Sequence, residues 1–282
     1  MSAHARTPSR ACLFFLPLTP SDAPPGLAPS PGAGIRHLIS KRVKSTTPSS
    51  AEEYYDKLQE YVDELKTMPV AEQQDAANEQ HYEVPTEYFT TVLGEHRKYS
   101  SCLYSRPGMT LEEAEVEMME LTCQRAQLAT GFDGDILELG CGWGSLSLFM
   151  AHKLPKARIT AISNSRTQKE YIDGQARTRG IKNLTVKTQD VVTAEFEGES
   201  FDRVVSIEMF EHMKNYETLL ARISSWLRPG GMLFVHIFVH AKGLVCVWQN
   251  VPASRFSSCL SPRGSSRLTC YACLIRSPFT MS

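Results

Sequence analysis

Glu208, Glu211 and His212 bring two carboxylates and an imidazole together on a short run of chain, Glu208-Met209-Phe210-Glu211-His212. These side chains take up and return protons, so together they can act as a general acid or base. The run follows Phe201 to Ile207, which reads as a strand. A helix is expected after it over about 211–227, ended by Pro229-Gly230-Gly231. If that helix starts near Phe210, Glu208 stands just before it and Glu211 and His212 lie on its first turn. The helix dipole alone also favours a carboxylate there, and a histidine can serve as a solvated or capping residue. The types at these positions therefore carry a structural reading beside the chemical one.

A second constellation is Asp135-Ile136-Leu137-Glu138-Leu139-Gly140-Cys141-Gly142-Trp143-Gly144. An apolar run passes into a glycine cluster, and a helix-like segment, Ser145 to Lys153, follows. Glycines at Gly140 and Gly142 let backbone approach a ligand with no Cβ between them, and the free N–H groups of the helix start face the same place. The spacing is GxGxG. A dinucleotide site expects GxGxxG and a P-loop GxxxxGK[ST], and neither is present. With Glu138 two positions ahead, the turn suits S-adenosylmethionine, which offers a ribose, an adenine and an amino-acid tail but no phosphate needing a lysine cradle. A tight strand–helix turn with no ligand is the other reading of the glycines taken alone.

The elements that must hold these groups alternate. After strand 135–139 come a strand from Arg158 to Ser163, a helix over 165–179 ended by Gly180, and a strand from Leu184 to Thr188 that runs into Gln189-Asp190. Then come the strand from Phe201 and a fifth from Met232 to Val239. Alternation of this kind predicts an α/β fold with a parallel doubly wound sheet, whose ligands sit at the carboxyl ends of the strands. Residues 132–240 form this core. Residues 51–131 read as helices able to cover it. Tyr54, Leu58, Tyr61, Val62 and Leu65 recur at helical spacing, and Asn78 to Tyr82 precede Pro85 in a second helical stretch. A short helix over 86–94 closes at Gly94. Thr110 with Glu113 reads as a capping box opening a helix that carries Leu111, Ala114, Met118, Leu121, Cys123, Ala126 and Leu128 and ends near Gly131.

Residues 1–50 are rich in Pro, Ser, Ala and Gly and contain one acid, Asp22. This composition predicts an unstructured extension, and its acid-poor, arginine-containing character is also compatible with an organelle-import segment. Residues 241–282 show no clear periodicity. The near-zero net charge, with no basic stripe, argues against a nucleic-acid surface. No apolar run is long enough to span a bilayer. The eight cysteines form no paired metal spacing, Cys270 and Cys273 standing alone, so no metal is expected; they read as reduced thiols of a cytoplasmic protein.

Five pieces agree with one another: Tyr99-Ser100-Ser101-Cys102, the glycine turn, Ser163-Asn164-Ser165 with Gln168, Gln189-Asp190, and Glu208 to Tyr216. Together they resemble the S-adenosylmethionine-dependent methyltransferases of the cyclopropane-fatty-acid-synthase superfamily, and within it the coclaurine N-methyltransferase-like branch. The resemblance implies a class I, Rossmann-like methyltransferase with an amino-terminal helical lid and S-adenosylmethionine as cofactor. It implies that Tyr99 and Ser100 contact the amino-acid tail of the cofactor from the lid. Gly140 and Gly142 would lie under its methionine and ribose portions, and Glu138 is a further expected cofactor-binding residue. Ser163, Asn164 and Gln168 stand where many class I enzymes hold the ribose with an acid, and Asp190 would accept from the adenine amino group. Glu208, Glu211 and His212 are the implied catalytic groups, acting on a small amine.

Lipid-modifying members of the superfamily instead attack with an alkene and use a bound bicarbonate. In that comparison Ser101 replaces an expected lid cysteine, with Cys102 next to it. Glu211 and His236 match, and a late tyrosine has no counterpart. The family's carboxyl-terminal helices and strand pair are not recognisable after His240, so those strands are expected to be missing or replaced. A truncated protein that binds cofactor without catalysis is the remaining alternative.

Overall fold

The computed structural model describes residues 31–71, 86–239 and 269–276. The expectations for residues 1–30, for the stretch from Asn78 to Tyr82 and for most of the tail lie outside these residues.

The chain divides into two units, residues 1–54 and 55–282. In the first, α1 spans Pro31–Thr46. This corrects the expectation that all of 1–50 is unstructured. Pro31 sits at the first helical position, where its missing N–H is harmless, and no proline interrupts the sequence through Thr46. Ile35, Leu38, Ile39 and Val43 recur along it at helical spacing. The next helix, α2 (Ala51–Thr67), opens inside the first unit, where Ser50 Oγ accepts from the Glu53 N–H at 3.1 Å.

In the second unit α2 buries Leu58 and Leu65. At its carboxyl end, the Asn215 side chain donates to the carbonyls of Lys66 (2.9 Å) and Met68 (3.0 Å). Next come α3 (Thr86–Val92) and α4 (Leu111–Arg125). The expected capping box is present on α4: Thr110 Oγ1 accepts from the Glu113 N–H, and the Glu113 carboxylate accepts from the Thr110 N–H. The helix ends at Arg125, short of Gly131, and its buried residues are Ala114, Glu115, Met119, Thr122 and Cys123.

The core elements are β1 (Asp135–Leu139), α5 (Ser145–Lys153), β2 (Arg158–Ser163), α6 (Arg166–Thr178), β3 (Leu184–Thr188), β4 (Phe201–Ile207), α7 (Tyr216–Trp226), β5 (Leu227–Val239) and β6 (Thr269–Arg276). They form one sheet of order β3-β2-β1-β4-β5-β6. The first five strands are parallel, and β6 runs antiparallel to β5 from Met232↔Arg276 to Val239↔Thr269. Among the described residues the tail contributes one antiparallel edge strand, β6, beside β5.

β1 is central, and its side chains alternate between two apolar layers. Leu137 and Leu139 join Val204, Phe210, Leu219, Ile223 and Trp226 on one face. Ile136 joins Met119, Cys123, Leu146, Met150 and Phe234 on the other. The carboxyl ends of β1, β2 and β4 are brought level by the register Leu139↔Ile162 and Leu139↔Ser206, so the loops after these strands open at one rim.

The expected continuous helix over 211–227 is instead two pieces. A 3₁₀ turn covers Phe210–His212, and α7 begins only at Tyr216. Asn215 makes the break, because its side chain caps the helix by accepting from the Thr218 N–H at 2.9 Å.

Candidate active site

The turn after β1 closes onto β2, with the N–H groups of Gly140 (3.1 Å) and Cys141 (2.9 Å) both donating to the Ile162 carbonyl. Gly140 has φ +76° and Gly142 φ +54°, the left-handed region that costs other residues about 1–2 kcal/mol. Space matters as much as φ. A Cβ at Gly140 would sit 2.8 Å from Met209 Cγ, and one at Gly142 would sit 3.1 Å from Tyr99 Cε1. The Tyr99 ring therefore roofs the turn while staying half exposed itself (54 %).

Glu138 lies behind this turn. It is buried, and its carboxylate accepts from Ser147 Oγ on α5. Burial pushes its pKa up to about 7, against the opposing effects of the Ser147 hydrogen bond and the Lys98 charge.

At the end of β2, Ser163 Oγ donates to Gln168 Oε1 at 2.6 Å and accepts from the Ser165 N–H at 3.1 Å. Ser165 caps α6. Ser163 and Gln168 are buried, whereas Asn164 between them and α6 is exposed. Beyond β3, Asp190 Oδ1 accepts from the Val192 N–H at 2.8 Å, forming a turn of its own.

The third contribution comes from the segment after α3. Lys98 is buried and its ammonium donates to Ser100 Oγ at 2.5 Å. The Ser101 N–H donates to Glu208 Oε1 at 3.3 Å. Burial raises the pKa of the neighbouring Cys102 thiol, which favours the neutral form.

Glu208 terminates β4 with φ +51°, and its N–H donates to the His236 carbonyl at 2.6 Å, extending the β4–β5 ladder past Ile207↔His236. Left-handed backbone at a non-glycine residue is strain that surrounding structure must hold in place. Glu211 and His212 follow in the 3₁₀ turn. The Glu211 carboxylate oxygens are buried, whereas His212 is exposed. Tyr216 donates its hydroxyl to the Phe210 carbonyl at 2.8 Å, and burial, helped by Glu211, raises its pKa and keeps it protonated. His236 is buried on β5, and burial lowers the pKa of its imidazole, with Glu208 pulling the other way.

The structure thus brings Tyr99 against Gly142, Met209 against Gly140, and Ser101 against Glu208. It leaves Asn164 at the surface and puts Glu138 in the interior. Sequence reasoning passed over Lys98 and Glu115. Each offered one signal, a charge adjoining an expected site run or an expected core position.

The family model for mycolic acid cyclopropane synthetase matches residues 70–256. The (S)-coclaurine N-methyltransferase of Thalictrum flavum subsp. glaucum is 37% identical over 206 residues, covering 73% of this chain and 56% of the relative. That of Papaver somniferum is 35% identical over 242 residues, covering 86% and 68%. The crystal structure of a coclaurine N-methyltransferase bound to N-methylheliamine and SAH aligns with a TM-score of 0.70 at 38% identity, covering 74% of this chain and 59% of that one. The chain thus spans little more than half the length of the first of these relatives and of the solved structure. The matched region contains the glycine turn, the segment above it and the Glu208–His212 run, and on that match the chain belongs to the mycolic acid cyclopropane synthetase family.

Proposed function

We propose that this chain is an S-adenosylmethionine-dependent methyltransferase that methylates the nitrogen of a small amine. The observation that carries the reading is the hydrogen bond from the Ser101 N–H to Glu208 Oε1. It joins the segment roofing the glycine turn to the carboxylate at the end of β4, which supports reading the turn and Glu208 as parts of one site. The cradle fits the cofactor. Gly140 and Gly142 present backbone where a Cβ would collide, and Tyr99 stands over Gly142; Ser100, Ser163, Asn164, Gln168 and Asp190 are the further residues we assign to the cofactor. When bound, S-adenosylmethionine supplies a methyl group already activated by its positive sulfur.

The chain's own residues then have two tasks. Tyr99 and the turn hold the reactants close and in line, which by itself removes much of a bimolecular barrier. Glu208, Glu211 and His212 attract the protonated amine and take its proton, freeing the nitrogen lone pair. We assign residues 51–131 to the lid and acceptor side of this site. Among the described residues no helix is long and apolar enough to cross a membrane, and we read the chain as working in the cytoplasm.

The test is to incubate the chain with methyl-labelled cofactor and separate panels of amines and phospholipids, followed by mass spectrometry. Label on a nitrogen is the expected result. Label on a lipid chain alone overturns the amine assignment, and SAH binding without any product leaves a cofactor-binding protein.

A further inference from the structure

Glu115 is a carboxylate on the buried side of α4, 0 % exposed, and the methyl-transfer chemistry above makes no use of it. Its two oxygens are occupied by one stretch of backbone. Oε2 accepts from the His96 N–H at 3.1 Å and Oε1 from the Lys98 N–H at 3.3 Å. Gly94 presses against the same group so closely that a Cβ there would lie 2.7 Å from Oε1 and 2.8 Å from Cδ. Between the two donors, Arg97 takes φ +50°, and its N–H closes a turn onto the Gly94 carbonyl at 3.0 Å. The chain is wrapped around the carboxyl group. The residue before Glu115 makes a further attachment, since the Ala114 carbonyl accepts from the Leu103 N–H at 3.1 Å.

Tyr99 to Cys102 are therefore slung between two anchor points on consecutive residues of one helix. Tyr99 roofs Gly142 from this span, and Ser101 reaches Glu208 from it. We propose that Glu115 is a positioning residue that sets the height of the Tyr99–Cys102 span over the glycine turn, and through it both cofactor affinity and the placement of Glu208. This rests on the reading of the turn as the cofactor cradle. A short span fixed at both ends has little freedom, so releasing one end costs the ligand the ordering that the protein now provides in advance.

Glu115→Gln tests this with the least disturbance, because the amide keeps one acceptor oxygen and points a donor at the other N–H. Hydrogen exchange is read at the His96 and Lys98 amides and at β1, and S-adenosylhomocysteine affinity is measured by calorimetry. Glu112→Gln, on the exposed side of the same helix, is the control. The expected result is faster exchange at residues 96 and 98, unchanged protection at Ile136–Leu139, and S-adenosylhomocysteine binding weaker by about 10- to 100-fold, the scale of a lost hydrogen bond to a charged group. Gly94→Ala approaches from the opposite side, pushing the loop off the carboxyl group while leaving Glu115 in place, and is expected to weaken binding likewise. Unchanged exchange at both amides in Glu115→Gln overturns the tether. Wild-type affinity alongside fast exchange overturns its role in binding. Failure of the unmutated chain to bind S-adenosylhomocysteine overturns the cradle reading itself and this proposal with it.

Discussion

The Arg97 guanidinium lies 3.8 Å from the centroid of the Tyr171 ring. The Trp143 ring, part of the glycine turn, is 5.4 Å from the same group, and Thr90 Oγ1 accepts from its Nη2. One cation thus joins α3, the turn and α6. A planar guanidinium stacks on an aromatic face where an ammonium does not. Arg97→Lys and Tyr171→Ala should each destabilise the protein by about 1 kcal/mol, and the double variant should lose less than the sum of the two. Urea titrations of the four proteins measure this. Strictly additive losses would mean the two side chains do not interact.

Gly142→Val should abolish S-adenosylhomocysteine binding while the far-UV spectrum persists. The valine needs a left-handed backbone and puts its Cβ against the Tyr99 ring. Calorimetry showing wild-type affinity would remove this turn from the site.

Turnover should fall by ~10²–10⁴ in His212→Ala, with cofactor affinity nearly unchanged, if the imidazole takes the acceptor's proton. Glu208→Gln is the sharper companion. The amide keeps an oxygen for the Ser101 N–H but carries no charge, so it separates proton handling from span placement. Single-turnover rates at saturating cofactor decide the matter. Full activity in both variants would point to catalysis by proximity alone.

Glu138 gives a pH dependence of known sign. Its folded-state pKa is raised from 4.5 to about 7. The folded protein therefore holds this proton more tightly than the unfolded chain does. The resulting stabilisation is complete below pH 4.5 and is lost as pH rises toward 7, a change of roughly 3 kcal/mol at most. Glu138→Gln cannot ionise, so its stability relative to the unmutated protein should climb between pH 5 and pH 8. Denaturant unfolding at those two values reads the difference, and a constant gap contradicts the assignment.

The strand–turn–helix around Gly140 was legible because glycine spacing and an apolar run constrain the backbone directly. The site residues on α4 were not. Of the expected stripe, Ala114, Cys123, Ala126 and Leu128 are buried, but Leu111, Met118 and Leu121 are not, and Glu115, Met119 and Thr122 are buried instead. Glu115 holds a buried position because the loop covering this face supplies N–H donors, and a carboxylate satisfies those better than an aliphatic group. The break before α7 was written in Asn215, a capping residue, yet the Phe210–His212 run looks equally helical without it. Ser163 and Gln168 were singled out together with Asn164 from the sequence, while the bond between Ser163 and Gln168 depends on α6 folding back onto the end of β2.

The positive φ of Glu208 has a consequence for anyone selecting variants of this chain. Glycine would relax that backbone, as would asparagine to a lesser degree, and either would rid the site of a charge. A screen that scores only folded yield or heat tolerance would therefore favour losing this residue and, on the role proposed for Glu208, would enrich for proteins that are sturdier and inert. On that proposal, stability and chemistry pull in opposite directions at this one position.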